Sequence, residues 1–303
     1  MRSVRSSVDC RSERGNGTLW LMTASPNPDV VLCDIADGIA TLTFNRPERN
    51  NGWTDALGRR YLGLLKSCNE DPNVRAIVVT GAGKAFCPGA DLNMLSDMGA
   101  QQDAPRSAKP QGDMIAADTV PSYLAAIIGK PVIAAVNGAC AGLGLVHAML
   151  CDVRFAAKGA KFTMAFSQRG LIAEYGSAWL LPRLVGRANA LDLLLSSRVI
   201  QSDEAKALGL VNFVSEPDQL LDEARAYAYD MAAKCSPQSL AIMKRQVLAA
   251  EGQSLPEAVT QAGEIMNWSV RKPDFKEGVA SYLAKRPPEF PAFTGRTGDP
   301  HEV

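Results

Sequence analysis

KAFCPGADLNML, residues 84–95, decides the fold once it is set beside a second glycine-rich turn, NGACAGLGL, residues 137–145. Each follows a run rich in β-branched residues, AIVVTGAG at 76–83 and PVIAAV at 131–136, and each leads into a helical pattern. Two strand–turn–helix units of this kind can aim two backbone N–H groups at one point. That is the arrangement that holds an oxyanion.

Reading outward from these turns, VVLCDIADGIATLTFN from Val30 predicts two alternating strands around Asp37-Gly38, a tight hairpin signal. Leu57, Tyr61, Leu64 and Leu65 recur at helical spacing over 54–69, and AIVVTG reads as a short buried strand. Residues 99–112, rich in Gln, Asp, Pro, Ser and Lys, have no period and read as a mobile loop, a candidate lid. A helix is expected over 113–129, then strands at PVIAAV, CDVRFAA and AKFTMA, then a long helical remainder from Gly176. Within that remainder, helices at 217–234, 236–250 and 254–271 predict an all-helical addition, and Pro287, Pro288 and Pro291 close it in a tail. The basic, serine-rich first 28 residues carry no apolar stretch of signal-peptide length and are left out of the fold, with Met22 as an alternative start. The organisation expected is an extension over 1–28, a core carrying the two glycine-rich turns over 29–215, a helical region over 216–290 and a tail over 291–303.

Composition narrows the function classes. The chain has 303 residues, 47% hydrophobic and 21% charged, ordinary for a globular protein. Its 32 basic and 32 acidic side chains cancel, so no net field draws nucleic acid or an anionic membrane, and phosphate affinity must come from a local cluster. Seven scattered cysteines with no CxxC pair argue against a disulfide framework or a zinc site, and for free thiols in a reducing compartment. No apolar run approaches a bilayer span, so the expected location is the cytosol.

Seven motifs in order carry a family resemblance: NRPERNN near 45, KAFCPGADL at 84, NGACAGLGL at 137, CDVRFAA at 151, GLIAEYGSAWLLPRLVG at 170, ALGLVNFV at 207 and YLAKRPPEF at 282. On these the chain resembles the crotonase superfamily, the enoyl-CoA hydratase and isomerase family, over about residues 29–290. The resemblance implies an α/β spiral of repeated ββα units with a helical C-terminal region used for trimer assembly, often doubled to a hexamer. It implies a substrate carried as a coenzyme A thioester, with no separate cofactor and no metal. It also implies an oxyanion hole whose donors are the backbone N–H groups of Ala90 and Leu143. A donor of this kind is typically worth about 10²–10³ in rate.

The acid–base positions depart from the hydratase pattern. Where family hydratases carry two glutamates, this chain has Val146 and Phe166. Neither moves a proton, whereas hydration needs one group to activate water and another to protonate the α-carbon. Glu174, in GLIAEYGSAW, stands where some isomerases of the family place a single catalytic carboxylate. One carboxylate suffices to carry a proton from C2 to C4 of a 3-enoyl thioester, and apolar neighbours such as Phe166 and Val146 would raise its pKa. The bland alternative is a helix-capping carboxylate.

The remaining candidates have simpler readings. Asp91 is expected to cap the helix DLNML, Asp152 to pair with Arg154, His147 to be a buried helix residue, His301 to lie in the tail, and Cys140 to fill core. Ser167 and Ser177 have no evident histidine partner for a Ser-His-Asp triad. Coenzyme A contacts fall, by resemblance, on Arg46, Arg49 and Lys84, with Tyr282 and Lys285 reaching the nucleotide from the C-terminal end, often across a subunit boundary. Trp53, Met94, Met98, Met114, Phe166 and Trp179 are pocket-lining candidates that also suit a core. Three functions stay open: enoyl-CoA isomerase, enoyl-CoA hydratase, or an acyl-CoA-binding protein that has lost its catalysis.

Overall fold

The strands that carry the fold are short runs of β-branched and small residues, and those at its centre are buried on both faces. That is the signature of strands inside a parallel sheet covered by helices. The computed structural model describes residues 28–91 and 120–302. The first sheet has six strands: β1 (Val31–Ala36), β2 (Ile39–Phe44), β3 (Ala76–Gly81), β5 (Val132–Val136), β7 (Val153–Ala157) and β10 (Phe213–Ser215), in that spatial order. β1 and β2 form the antiparallel hairpin around Asp37 (φ 53°) and Gly38 (φ 77°), and all later neighbours are parallel.

The second sheet is built from short strands just beyond the long ones. β3 leads within a few residues to β4 (Ala85–Cys87), β5 to β6 (Ala139–Ala141) and β7 to β8 (Lys161–Thr163); these pair in parallel, and β9 (Ile200–Gln201) adds antiparallel to β8. The chain therefore repeats one move three times: a long strand, a corner, and a short strand in the neighbouring sheet. Two asparagines lock the corners together. Asn137 Nδ2 donates to the Gly81 and Gly83 carbonyls (2.8 and 3.0 Å), and Asn51 Nδ2 donates to Ala82 and Ala85 (2.9 and 2.7 Å).

Ten α-helices are described. α1 (Asp55–Glu70) is capped by Thr54, whose side chain accepts from Leu57 N–H, and it buries Leu57, Tyr61, Leu64, Leu65 and Cys68 on one face. α2 (Leu124–Ile127) is a single turn. It is all that the described residues contain of the helix expected over 113–129; the loop over 99–112 and the helix DLNML lie outside them, as do Met94, Met98 and Met114. α3 (Leu143–Met149), α4 (Ser177–Val185), α5 (Arg187–Ser196) and α6 (Ser202–Ala207) come next, then α7 (Leu220–Lys234), α8 (Pro237–Ala250), α9 (Leu255–Ser269) and α10 (Pro273–Ala284).

Three expectations are corrected. The remainder after Gly176 is not all helical, because β9 and β10 interrupt it; strands of two and three residues are too short to show a period of two against helical flanks. α7 is not an appendage, since Leu220, Ala224 and Ala228 are buried with the sheet core. Asp152 does not pair with Arg154: its carboxylate accepts from Lys244 (2.8 Å) and Val132 N–H (2.8 Å), while the Arg154 guanidinium donates to the carbonyls of Leu210 and Cys151. The stretch after α10 is docked on the body. Phe293 is buried, and Asp299 takes the Arg245 guanidinium. No described helix is long and apolar enough to cross a membrane.

Candidate active site

The two glycine-rich turns emerge from the same ends of β4 and β6 and lie against each other. A β-carbon at Gly89 would sit 3.6 Å from Leu143 N, and one at Gly142 would sit 3.8 Å from Gly89 Cα. Gly144 makes the approach possible, because a β-carbon there would fall 2.1 Å from the Cys87 carbonyl oxygen. Gly144→Ala therefore forces the first turn off the second. Thermal denaturation is expected to show a loss of about 1–3 kcal/mol or more, the range for overpacking a tight interior.

The orientation of the Ala90 amide is set by its flanks. Trp53 N–H donates to Gly89 O (2.7 Å), and Asp91 N–H donates to Trp53 O (2.9 Å), a parallel bridge centred on Ala90. Backbone groups alternate sides along an extended chain, so the N–H of Ala90 points away from Trp53. Leu143 is the first residue of α3, where an N–H has no partner within the helix. Neither amide has a backbone or side-chain acceptor among the described residues.

An ion pair braces the first turn. Arg46 donates to Asp91 (3.0 Å) and to the Gly52 carbonyl, and its own N–H reaches Asn51 Oδ1 (2.8 Å). The guanidinium expected to meet a nucleotide is thus engaged within the protein, beside the residue next to Ala90. Removing one member of a mostly buried pair leaves the other uncompensated, so Arg46→Met is expected to lose about 3 kcal/mol of stability in denaturant unfolding.

Glu174 lies in the turn Glu174–Gly176, where Tyr175 (φ 50°) and Gly176 (φ 77°) are both left-handed before α4 begins at Ser177. A tyrosine in that region is strained. The Glu174 side chain is half-buried and has no hydrogen bond or ion pair among the described residues. Burial alone raises its pKa above the ordinary carboxylate value. Tyr175 is within electrostatic reach of both Glu174 and Asp55, which places this turn over the start of α1, two residues past Trp53. Val146 and Phe166 are buried, and the Phe166 ring lies against Gly142. The space beside the second turn is apolar.

The other candidates separate. Arg49, Lys84 and Lys285 are exposed and carry no side-chain hydrogen bond or ion pair among the described residues. Lys84 precedes β4, at the end away from Ala90, and lines an open pocket of about 320 Å³ with Asn137, Lys158 and Lys161. Tyr282, 83% exposed, and Lys285 stand on the surface of α10 and at its end. Trp179 faces outward under the Arg183 guanidinium. Ser167 bonds Ser197 and Leu195, Ser177 Oγ is buried without a partner among the described residues, His301 pairs with Glu264, and burial pushes the Cys140 thiol up. No cluster able to hold a metal ion occurs among the described residues. The backbone bridge of Trp53, the brace from Arg46 and the strained Tyr175 were not evident in the sequence; only the glycines around them hinted at close backbone approach.

Residues 34–292 match the family described as enoyl-CoA hydratase/isomerase. The 1,2-epoxyphenylacetyl-CoA isomerase of Escherichia coli (strain K12) is 35% identical over 264 residues, which span 86% of this chain and 98% of that protein. Among solved structures, an enoyl-CoA hydratase from Mycobacterium marinum is 44% identical with a TM-score of 0.60, over 72% of this chain and 96% of its own. One from Mycobacterium smegmatis is 31% identical with a TM-score of 0.75, over 86% and 98%.

Proposed function

Because the chain belongs to the enoyl-CoA hydratase/isomerase family, we propose that it moves the double bond of a 3-enoyl-CoA into conjugation with the thioester, giving the 2-enoyl-CoA. Glu174 takes a proton from C2. The electron pair moves into the carbonyl, and the resulting dienolate oxygen accepts from the N–H groups of Ala90 and Leu143. Protonation at C4 by the same carboxyl returns the electrons and completes the product, so no external acid, base or redox partner is consumed. Coenzyme A enters only as part of the substrate, and no metal or second cofactor is required.

The observation that carries this reading is the half-buried, unpaired Glu174, with apolar Val146 and Phe166 at the two positions where hydration needs carboxylates. A base whose pKa burial raises above the ordinary carboxylate value is suited to both removing and returning a proton. The test is a panel of 2-enoyl and 3-enoyl thioesters of varied chain length, read by product mass. Migration leaves the mass unchanged, whereas addition of water raises it, and no conversion of any member supports a binding protein.

The reading assigns the thioester site to residues 29–215 and assembly to the helical region. Leu255 (78% exposed), Leu283 (76%) and Val247 (72%) are large apolar side chains left exposed on α9, α10 and α8, which suits burial in a trimer. In that assembly a partner's Tyr282 and Lys285 would complete the nucleotide anchor begun by Arg49 and Lys84.

A further inference from the structure

His147 is the buried titratable group that this chemistry does not use. It lies one helical turn beyond Leu143 on α3, and its ring stacks face to face on the indole of Trp53, with centroids 4.0 Å apart and planes 12° from parallel. Tyr61 closes the cluster edge-on to both rings, at 5.6 Å from His147 and 6.1 Å from Trp53. Trp53 is the residue whose N–H and C=O grip the chain on either side of Ala90. A continuous set of contacts therefore runs from one donor amide to the other: Leu143, its helix, His147, Trp53, Ala90.

The imidazole sits there against the interest of stability. Its Nδ1 is buried with no hydrogen-bond partner among the described residues, and burial lowers the ring's pKa to about 3, which holds the ring neutral. A leucine would fill the space with every atom satisfied. What a leucine lacks is a flat face, which admits one orientation of the indole.

We propose that His147 is a positioning residue that fixes the spacing of the two donor amides through its stack on Trp53. The proposal rests on the reading of Ala90 and Leu143 as donors. A displacement far smaller than a bond length weakens hydrogen bonds to a developing charge while leaving substrate binding nearly intact, because the charge exists only in the transition state.

The test compares His147→Leu with His147→Phe in the full chain, using the best 3-enoyl thioester of the panel. His147→Leu is expected to lower kcat by about 10-fold to 10²-fold with KM changed less than about twofold, while Tm stays level or rises. His147→Phe, which keeps a flat ring on the indole, is expected to restore kcat to within about threefold of the parent. If His147→Leu does not fold, Trp53→Met breaks the same stack from the other side and carries the same expectation. An unchanged kcat in His147→Leu, a fall of kcat and Tm together, or no rescue by phenylalanine overturns the role. Failure of the donor reading is recognised separately, by a Leu143→Pro protein that keeps full activity.

Discussion

Leu143→Pro is expected to lower turnover of a 3-enoyl thioester by about 10²–10³, roughly 3 kcal/mol of transition-state stabilisation, while its fall in Tm is no larger than that of Leu143→Ala, which trims the same buried side chain and keeps the N–H. Besides trimming a buried side chain, as Leu143→Ala would, the substitution deletes one N–H. Leu143 is the first residue of α3, where that N–H has no intrahelical acceptor and where proline's fixed φ is already helical. The preceding residue tolerates it too. Gly142, at φ 48° and ψ −124°, has the mirror image of the extended conformation that proline imposes on its neighbour, and glycine adopts the two equally. Steady-state kinetics beside differential scanning calorimetry checks both halves. A protein that is intact but slow supports a backbone donor at this position.

Glu174→Gln is expected to cost about 10²–10⁴ in kcat, the span of a positioned acid–base group, while the affinity for coenzyme A measured by calorimetry is retained. In the parent, kcat/KM should rise with pH as Glu174 ionises, with the limb displaced above the ordinary carboxylate range because burial raises its pKa. The stability effect has the opposite sign to the kinetic one. A carboxyl whose folded pKa is raised binds its proton more tightly in the folded state, so its contribution is present at low pH and is lost as pH rises through the folded value. Glutamine cannot ionise and escapes that loss. The variant should therefore be at least as heat-stable as the parent at neutral pH, and a marked fall in Tm would point to a structural rather than a chemical role for Glu174.

Much of the architecture was legible because it is written in local patterns. Asp37-Gly38 between alternating runs predicts β1 and β2, Leu57, Tyr61, Leu64 and Leu65 predict the buried face of α1, and the two glycine-rich turns predict where backbone approaches backbone. β9 and β10 escaped because two or three residues show no period, and their pairing with β8 and β7 depends on chain far away in sequence. At the site, the residues around the two glycine-rich turns were legible as motifs but the forces on them were not. Arg46 looked like a cation awaiting a phosphate; its partner, Asp91, lies 45 positions away. Trp53 looked like pocket or core, and nothing in its neighbours announces that its backbone holds Ala90 or that its ring meets His147. Long-range pairing of this kind has no signature in composition or spacing.

The most direct measurement is a crystal structure of the Glu174→Gln protein soaked with a 2-enoyl-CoA. Convergence of the two turns on one oxygen predicts the thioester carbonyl within about 2.7–3.1 Å of both Ala90 N and Leu143 N, with the side-chain amide at position 174 facing the acyl chain between C2 and C4. A carbonyl oxygen bound to other groups, or to one of these nitrogens with the second turned away, would contradict it.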